Sequence, residues 1–147
     1  MKLDKLTEEL IAIKSVTGDE NKILDFIENY LINSDFSGEI IRNNGGIIAH
    51  YPSSDSNIAL VGHVDTVPFD PTQVVIDDTS KVYGRGSVDM KAGIAVMLQV
   101  LMGNFENIVC VFYTHAFKRY NLPRRGRYKV KEGVGSAFGA STLDFVL

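Results

Sequence analysis

The chain has 147 residues and a single cysteine. Cys110 cannot close an internal disulfide, and a reducing, cytoplasmic setting suits such a chain. It lies within "NIVCVFY", where a buried, small apolar side chain is the ordinary role. Long apolar runs are also missing. No stretch reaches the roughly 18–20 unbroken apolar residues that span a bilayer, so no membrane partner is expected. The N-terminus, "MKLDKLTEELIAIKS", lacks the apolar core of a secretory signal. There is no internal repeat, and the length is that of one ordinary domain able to bury a core.

Basic residues are scarce in most of the chain and acidic ones scarce at its end. Residues 1–115 carry 8 Lys/Arg against 16 Asp/Glu, a net of −8, whereas residues 116–147 carry 7 against 2, a net of +5. All seven basic groups of the tail fall between Lys118 and Lys131. We therefore divide the chain into residues 1–115 and an aberrant basic tail, 116–147.

What is present is patterned. "LDKLTEELIAIK" spaces Leu3, Leu6, Leu10, Ile11 and Ile13 as one helix face, and "GDENKILDFIENYLIN" does the same with Ile23 through Leu31. The intervening "SVTG" supplies turn and capping residues, and Asp19 and Glu20 stand where a helix dipole favours acids. "GEIIRNNGGIIAHYP" predicts a hairpin. "NIALVGHVD" is an apolar strand over 58–65 without alternation, as in a sheet covered on both faces. "VVIDDTSKVYG" could hold two short strands, "SVDMKAGIAVMLQVLMG" a buried helix from about Met90 to Met102, and "NIVCVFYTH" another strand. Strand, helix, strand in that order predicts an α/β fold, a mainly parallel or mixed sheet with helices on both faces. Sites in such sheets form beyond the carboxyl ends of strands, where His63 and Asp65 stand.

Two motifs carry chemistry. In "GHVDTVP" the i, i+2 spacing puts His63 and Asp65 on one face if the strand persists, so an imidazole could bind a metal while a carboxylate accepts its other N–H. A satisfied core histidine is the competing reading. In "YGRGSVDMKAG", Gly84 and Gly86 permit a tight turn, and Asp89 reads first as an N-cap. A phosphate loop fits poorly, because the third glycine of the dinucleotide fingerprint and a Gly-Lys-Ser/Thr are both lacking. Lys91 is either a solvated helix residue or a structural contact. His50 reads as a surface or strand-end residue.

Together, "GHVDTVP" followed by "GRGSVDMKAG" resembles the M20 family of zinc aminoacyl hydrolases, most closely its succinyl-diaminopimelate desuccinylase branch. The resemblance covers roughly residues 1–115 and implies the N-terminal part of a three-layer α/β catalytic domain. It implies that His63 is a metal ligand, that Asp65, counted with the catalytic machinery, orients it, and that Asp89 bridges two zinc ions (cobalt being a possible substitute). It also implies a cis peptide at Asp89–Met90. The reaction implied is two-metal hydrolysis of the amide of an N-acyl amino acid, with N-succinyl-LL-2,6-diaminopimelate the leading candidate. Acetylornithine deacetylation or another amidase or peptidase activity of the family is the alternative. Members of the family commonly form homodimers.

Beyond the second motif the sequence departs from the family. An acidic pair, general base and metal ligand, is expected after "VFYTH", and Ala116 and Phe117 stand there instead. His115 reads as a structural neighbour of the site rather than a ligand. The final "STLDFVL" again resembles a family strand, so the expectation is an incomplete domain, inactive alone, with residues 116 to about 140 read in a shifted frame. A rival reading gives "KRYNLPRRGRYKVK" a nucleic-acid role through stacked tyrosines and arginines, or makes the chain a degenerate module that binds a protein partner. A solvated segment is preferred, and nucleic acid is not the expected partner.

Overall fold

The computed structural model describes residues 2–43, 45–51, 58–68, 81–114 and 144–146. His115, the basic cluster and residues 74–80 lie outside the described residues, so the expectations placed on them are not taken further.

Two amphipathic helices open the chain, α1 (Leu3–Ala12) and α2 (Asn21–Asn33). An antiparallel hairpin follows, β1 (Glu39–Asn43) and β2 (Gly46–His50). Its turn is held by the Asn43 side chain, whose Oδ1 accepts the Gly45 N–H at 2.7 Å. Next come β3 (Ile58–His63), α3 (Ala92–Met102), β4 (Ile108–Tyr113) and β5 (Asp144–Val146). The strands form one mixed sheet in the order β1-β2-β4-β3-β5. β2 runs antiparallel to β4, while β3 pairs in parallel with β4 on one side and β5 on the other.

The period of two in the strands divides the sheet into two faces. Ile47, Ala49, Cys110 and Phe112 point into the main core, with Leu6 and Leu10 of α1, Ile23, Ile27 and Leu31 of α2, and Ile94, Leu98 and Leu101 of α3. Ile48, Ala59, Val61, Val109, Val111 and Tyr113 form a second cluster on the opposite face. The α/β reading holds, with a mixed sheet flanked by helices. Among the described residues all three helices serve the first face. α2 is tied to the edge strand by Arg42, which donates to Glu28 at 2.5 Å and Asp25 at 2.6 Å. These two hydrogen bonds, Glu28 foremost, raise the guanidinium pKa further.

Three boundaries differ from the sequence reading. β3 ends at His63, so Asp65 leaves the strand. α3 begins at Ala92, because Asp89 (φ −122°, ψ 95°) and Met90 (φ −134°, ψ 36°) are not helical. Residues 81–83 form no strand. His50 ends β2 as expected but is buried, with Nδ1 3.2 Å from the Tyr51 carbonyl and Nε2 3.5 Å from Glu39 across the hairpin.

Cys110 is fully buried, and burial pushes its thiol up to about 12 from 9.0. The unfolded thiol ionises from about pH 9, so Cys110 favours the unfolded chain increasingly between pH 9 and 12. At pH 8 it should be inert to a disulfide reagent in the folded chain and react stoichiometrically in denaturant; fast labelling without denaturant would contradict this burial. Gly46 (φ +144°) opposes Tyr113, and a Cβ there would lie 2.0 Å from the Phe112 carbonyl oxygen. Gly46→Ala is expected to lower the unfolding free energy by at least ~2 kcal/mol in chemical denaturation.

Candidate functional site

The parallel register places His63 opposite Tyr113 at the carboxyl ends of β3 and β4. Their rings lie 6.2 Å apart between centroids, tilted by 60°. Beyond His63 the chain remains anchored: Val64 N–H donates to the Tyr113 carbonyl at 2.9 Å, and Thr66 N–H donates to the Ser15 carbonyl at 2.8 Å. Thr17 N–H returns a bond to the Thr66 carbonyl at 3.1 Å, completing a parallel bridge between Val16 and Thr66. The segment after α1 thus runs beside the segment after β3, and Asp65 is fixed although it is outside the strand.

The second motif enters as a turn rather than a helix start. Gly86 is left-handed (φ +81°), and the Lys91 N–H reaches back to the Gly86 carbonyl at 2.7 Å. The Asp89–Met90 peptide is cis, as the resemblance implied. Asp89 does not cap α3, whose N-cap position is Lys91 and has no side-chain cap. The Asp89 carboxylate instead turns toward the end of β3, where its Oδ1 lies 2.8 Å from His63 Nε2. Its side chain is 86% exposed, so it stands open to solutes.

All three residues named from the motifs come together. His63 Nδ1 lies 3.0 Å from the backbone carbonyl of Asp65 and 3.4 Å from its Oδ1. The carbonyl is thus the nearer acceptor for the ring, with the carboxylate beside it. Asp65 Oδ2 accepts the Thr17 hydroxyl at 2.8 Å, while Oδ1 is buried with no hydrogen bond.

Both ring nitrogens of His63 therefore face acceptors. A neutral imidazole carries one N–H, so one of these contacts lacks a hydrogen in the neutral ring. Nε2 and the Asp89 carboxylate would both serve as donors to a cation, which would remove the conflict and leave Nδ1–H for Asp65. In donor chemistry the pair suits a divalent metal. Among the described residues no group of three or more His, Cys, Asp or Glu side chains converges as a complete metal site.

Three neighbours were not assigned to the site from sequence. Tyr113 follows from the β3–β4 register, which no motif encodes. Its hydroxyl pKa is raised, first by burial and then by the Asp65 and Asp89 charges. Thr17 belongs to the "SVTG" connection, read only as turn residues. Lys91, left open between solvent and a structural contact, is 1% exposed, and Nζ donates to the carbonyls of Leu10 at 2.8 Å and Ile13 at 2.5 Å. Burial lowers its pKa to about 8 from 10.5.

Fold and site together define an α/β domain with an imidazole–carboxylate pair at the carboxyl end of its parallel strands. Residues 59–112 match the model of peptidase family M20/M25/M40. A succinyl-diaminopimelate desuccinylase of Corynebacterium glutamicum is 39% identical over 95 residues, 63% of this chain and 26% of the relative. One from Orientia tsutsugamushi is 30% identical over 118 residues, 70% of this chain and 30% of the relative. A tripeptidase structure from Staphylococcus aureus superposes with a TM-score of 0.60 at 23% identity, covering 76% of this chain and 35% of the other. Over its N-terminal part the chain is thus similar to the M20 family, with the family model matched at residues 59–112. The chain spans between a quarter and a third of the length of these curated relatives. Among the described residues no helix is long and apolar enough to cross a membrane.

Proposed function

We propose that His63 and Asp89 are protein ligands in a zinc centre of an M20-type amide hydrolase, with Asp65 holding the His63 ring. The reading takes Asp89 as the bridge between two zinc ions, for which cobalt could substitute. The carrying observation is the 2.8 Å approach of His63 Nε2 to the Asp89 carboxylate, with Nδ1 already engaged by Asp65. The metals would supply a water activated at neutral pH and polarisation of the scissile carbonyl. The chain's own residues do the rest that can be derived: Asp65 holds the ring so that Nε2 points outward, and the exposed Asp89 carboxylate offers negative charge to a cation. The substrate is an N-acyl amino acid, N-succinyl-LL-2,6-diaminopimelate first among candidates, in keeping with the desuccinylases similar to this chain.

Zinc normally takes three or four protein ligands, and the proposed pair supplies two donors. The reading therefore assigns the described residues the opening half of the centre, and no turnover by the 147-residue chain alone. Zinc or cobalt titration by calorimetry checks the ligands. His63→Ala and Asp89→Ala should each weaken binding by roughly tenfold or more; unchanged affinity in either would remove that residue from the centre. Incubating the zinc-supplemented chain with N-succinyl-LL-2,6-diaminopimelate checks the second statement: succinate release above a no-protein control would show that two donors were too few to count.

A further inference from the structure

The two carboxylates of the site come from separate loops, yet both loops are fastened to the same short stretch near the N-terminus. Asp65 is held by the Thr17 hydroxyl, on a segment bridged at Val16 and Thr66. The turn bearing Asp89 is held two residues on, where buried Lys91 reaches the Leu10 and Ile13 carbonyls at the end of α1. The fastenings also touch one another. A Cβ on Gly86 would fall 2.8 Å from Thr66 Cγ2 and 3.2 Å from Lys91 Cδ, so Thr66, Gly86 and Lys91 leave no gap. We propose that residues 10–17 are the positioning element of the site, setting Asp65 through Thr17 and Asp89 through Lys91, so that the distance between the two carboxylates is fixed by one piece of backbone.

The chemistry favours this over simple packing. A lysine in this place costs desolvation that a leucine would avoid, and it brings two directed hydrogen bonds, one to the Ile13 carbonyl just past α1 and one to the Leu10 carbonyl, which also accepts the Ile13 N–H. Thr17 is exposed, and its hydroxyl contributes the one hydrogen bond that Asp65 accepts from another residue's side chain among the described residues.

The proposal rests on reading Asp65 and Asp89 as site groups. Its test uses the metal-free 147-residue chain, so it fails or stands apart from the metal titration. In Lys91→Met, exchange protection of the Ser87 and Lys91 amides should fall at least tenfold, while Leu24 in α2 and Cys110 in β4 change less than twofold. Lys91→Arg, which keeps the donors, should retain most of the protection. Where Lys91→Met does not fold, Lys91→Gln takes its place in the same comparison. In Thr17→Val the Asp65 side chain, read from three-bond couplings, should average between rotamers, whereas Thr17→Ser should keep the single parent rotamer. Equal loss of protection across the whole chain, an unchanged turn in the lysine variant, or a single Asp65 rotamer in Thr17→Val would each overturn the proposal.

Discussion

The parallel ladder between β3 and β4 is the constraint on which the rest depends. It sets His63 level with Tyr113, and its continuation through the Val64 N–H carries the chain past the sheet edge without freeing it. A slip of one residue would turn every side chain of β3 to the other face. Leu60 would leave the helix-covered face, and His63 would swing toward α3 and away from Tyr113. The register is held from both faces, by Ala59 and Val61 in one cluster and by Leu60 against the other. A histidine at the strand end thus inherits its direction from packing that begins four residues earlier.

Given that direction, the electrostatics of the pair follow. Aspartate oxygens approach both sides of one imidazole, a backbone carbonyl at Nδ1 and a carboxylate at Nε2. A purely structural histidine would need one donor and one acceptor around a neutral ring. Two acceptors leave a place for a cation shared with Asp89. The exposed Asp89 carboxylate opens that place to solution.

Much of this was legible in the sequence, unevenly so. Helices α1 and α2 follow from apolar spacing, and the hairpin follows from its Asn/Gly turn. The order of motifs also indicated that His63, Asp65 and Asp89 belong together. The misread boundaries lie at the site itself. "SVDMKAG" has the composition of a helix start and predicts a helix from Met90, but the backbone there turns to face β3 and becomes helical only at Ala92. "HVD" looked like a strand continuing to Asp65, but the ladder stops at His63 and a different partner, the Ser15–Thr17 segment, takes over the hydrogen bonding. Both errors arise where tertiary contacts override local pattern.

Lys91 shows why some of the site could not be read that way. Its partners are backbone carbonyls of Leu10 and Ile13, and carbonyls have no residue type, so no motif records them. Sequence offers a lysine at the start of an apolar helix, for which solvent is the default. The structure reverses this, because the end of α1 presents the Leu10 and Ile13 carbonyls side by side within reach of the buried ammonium. Burial favours the neutral amine and lowers the pKa to about 8, and the neutral amine still carries two N–H groups for two carbonyls. The two bonds can therefore persist through deprotonation, whereas a salt bridge in the same place would lose its charge partner. Pairing with backbone carbonyls, rather than with a carboxylate, also leaves the Asp89 side chain, two residues away, to face His63.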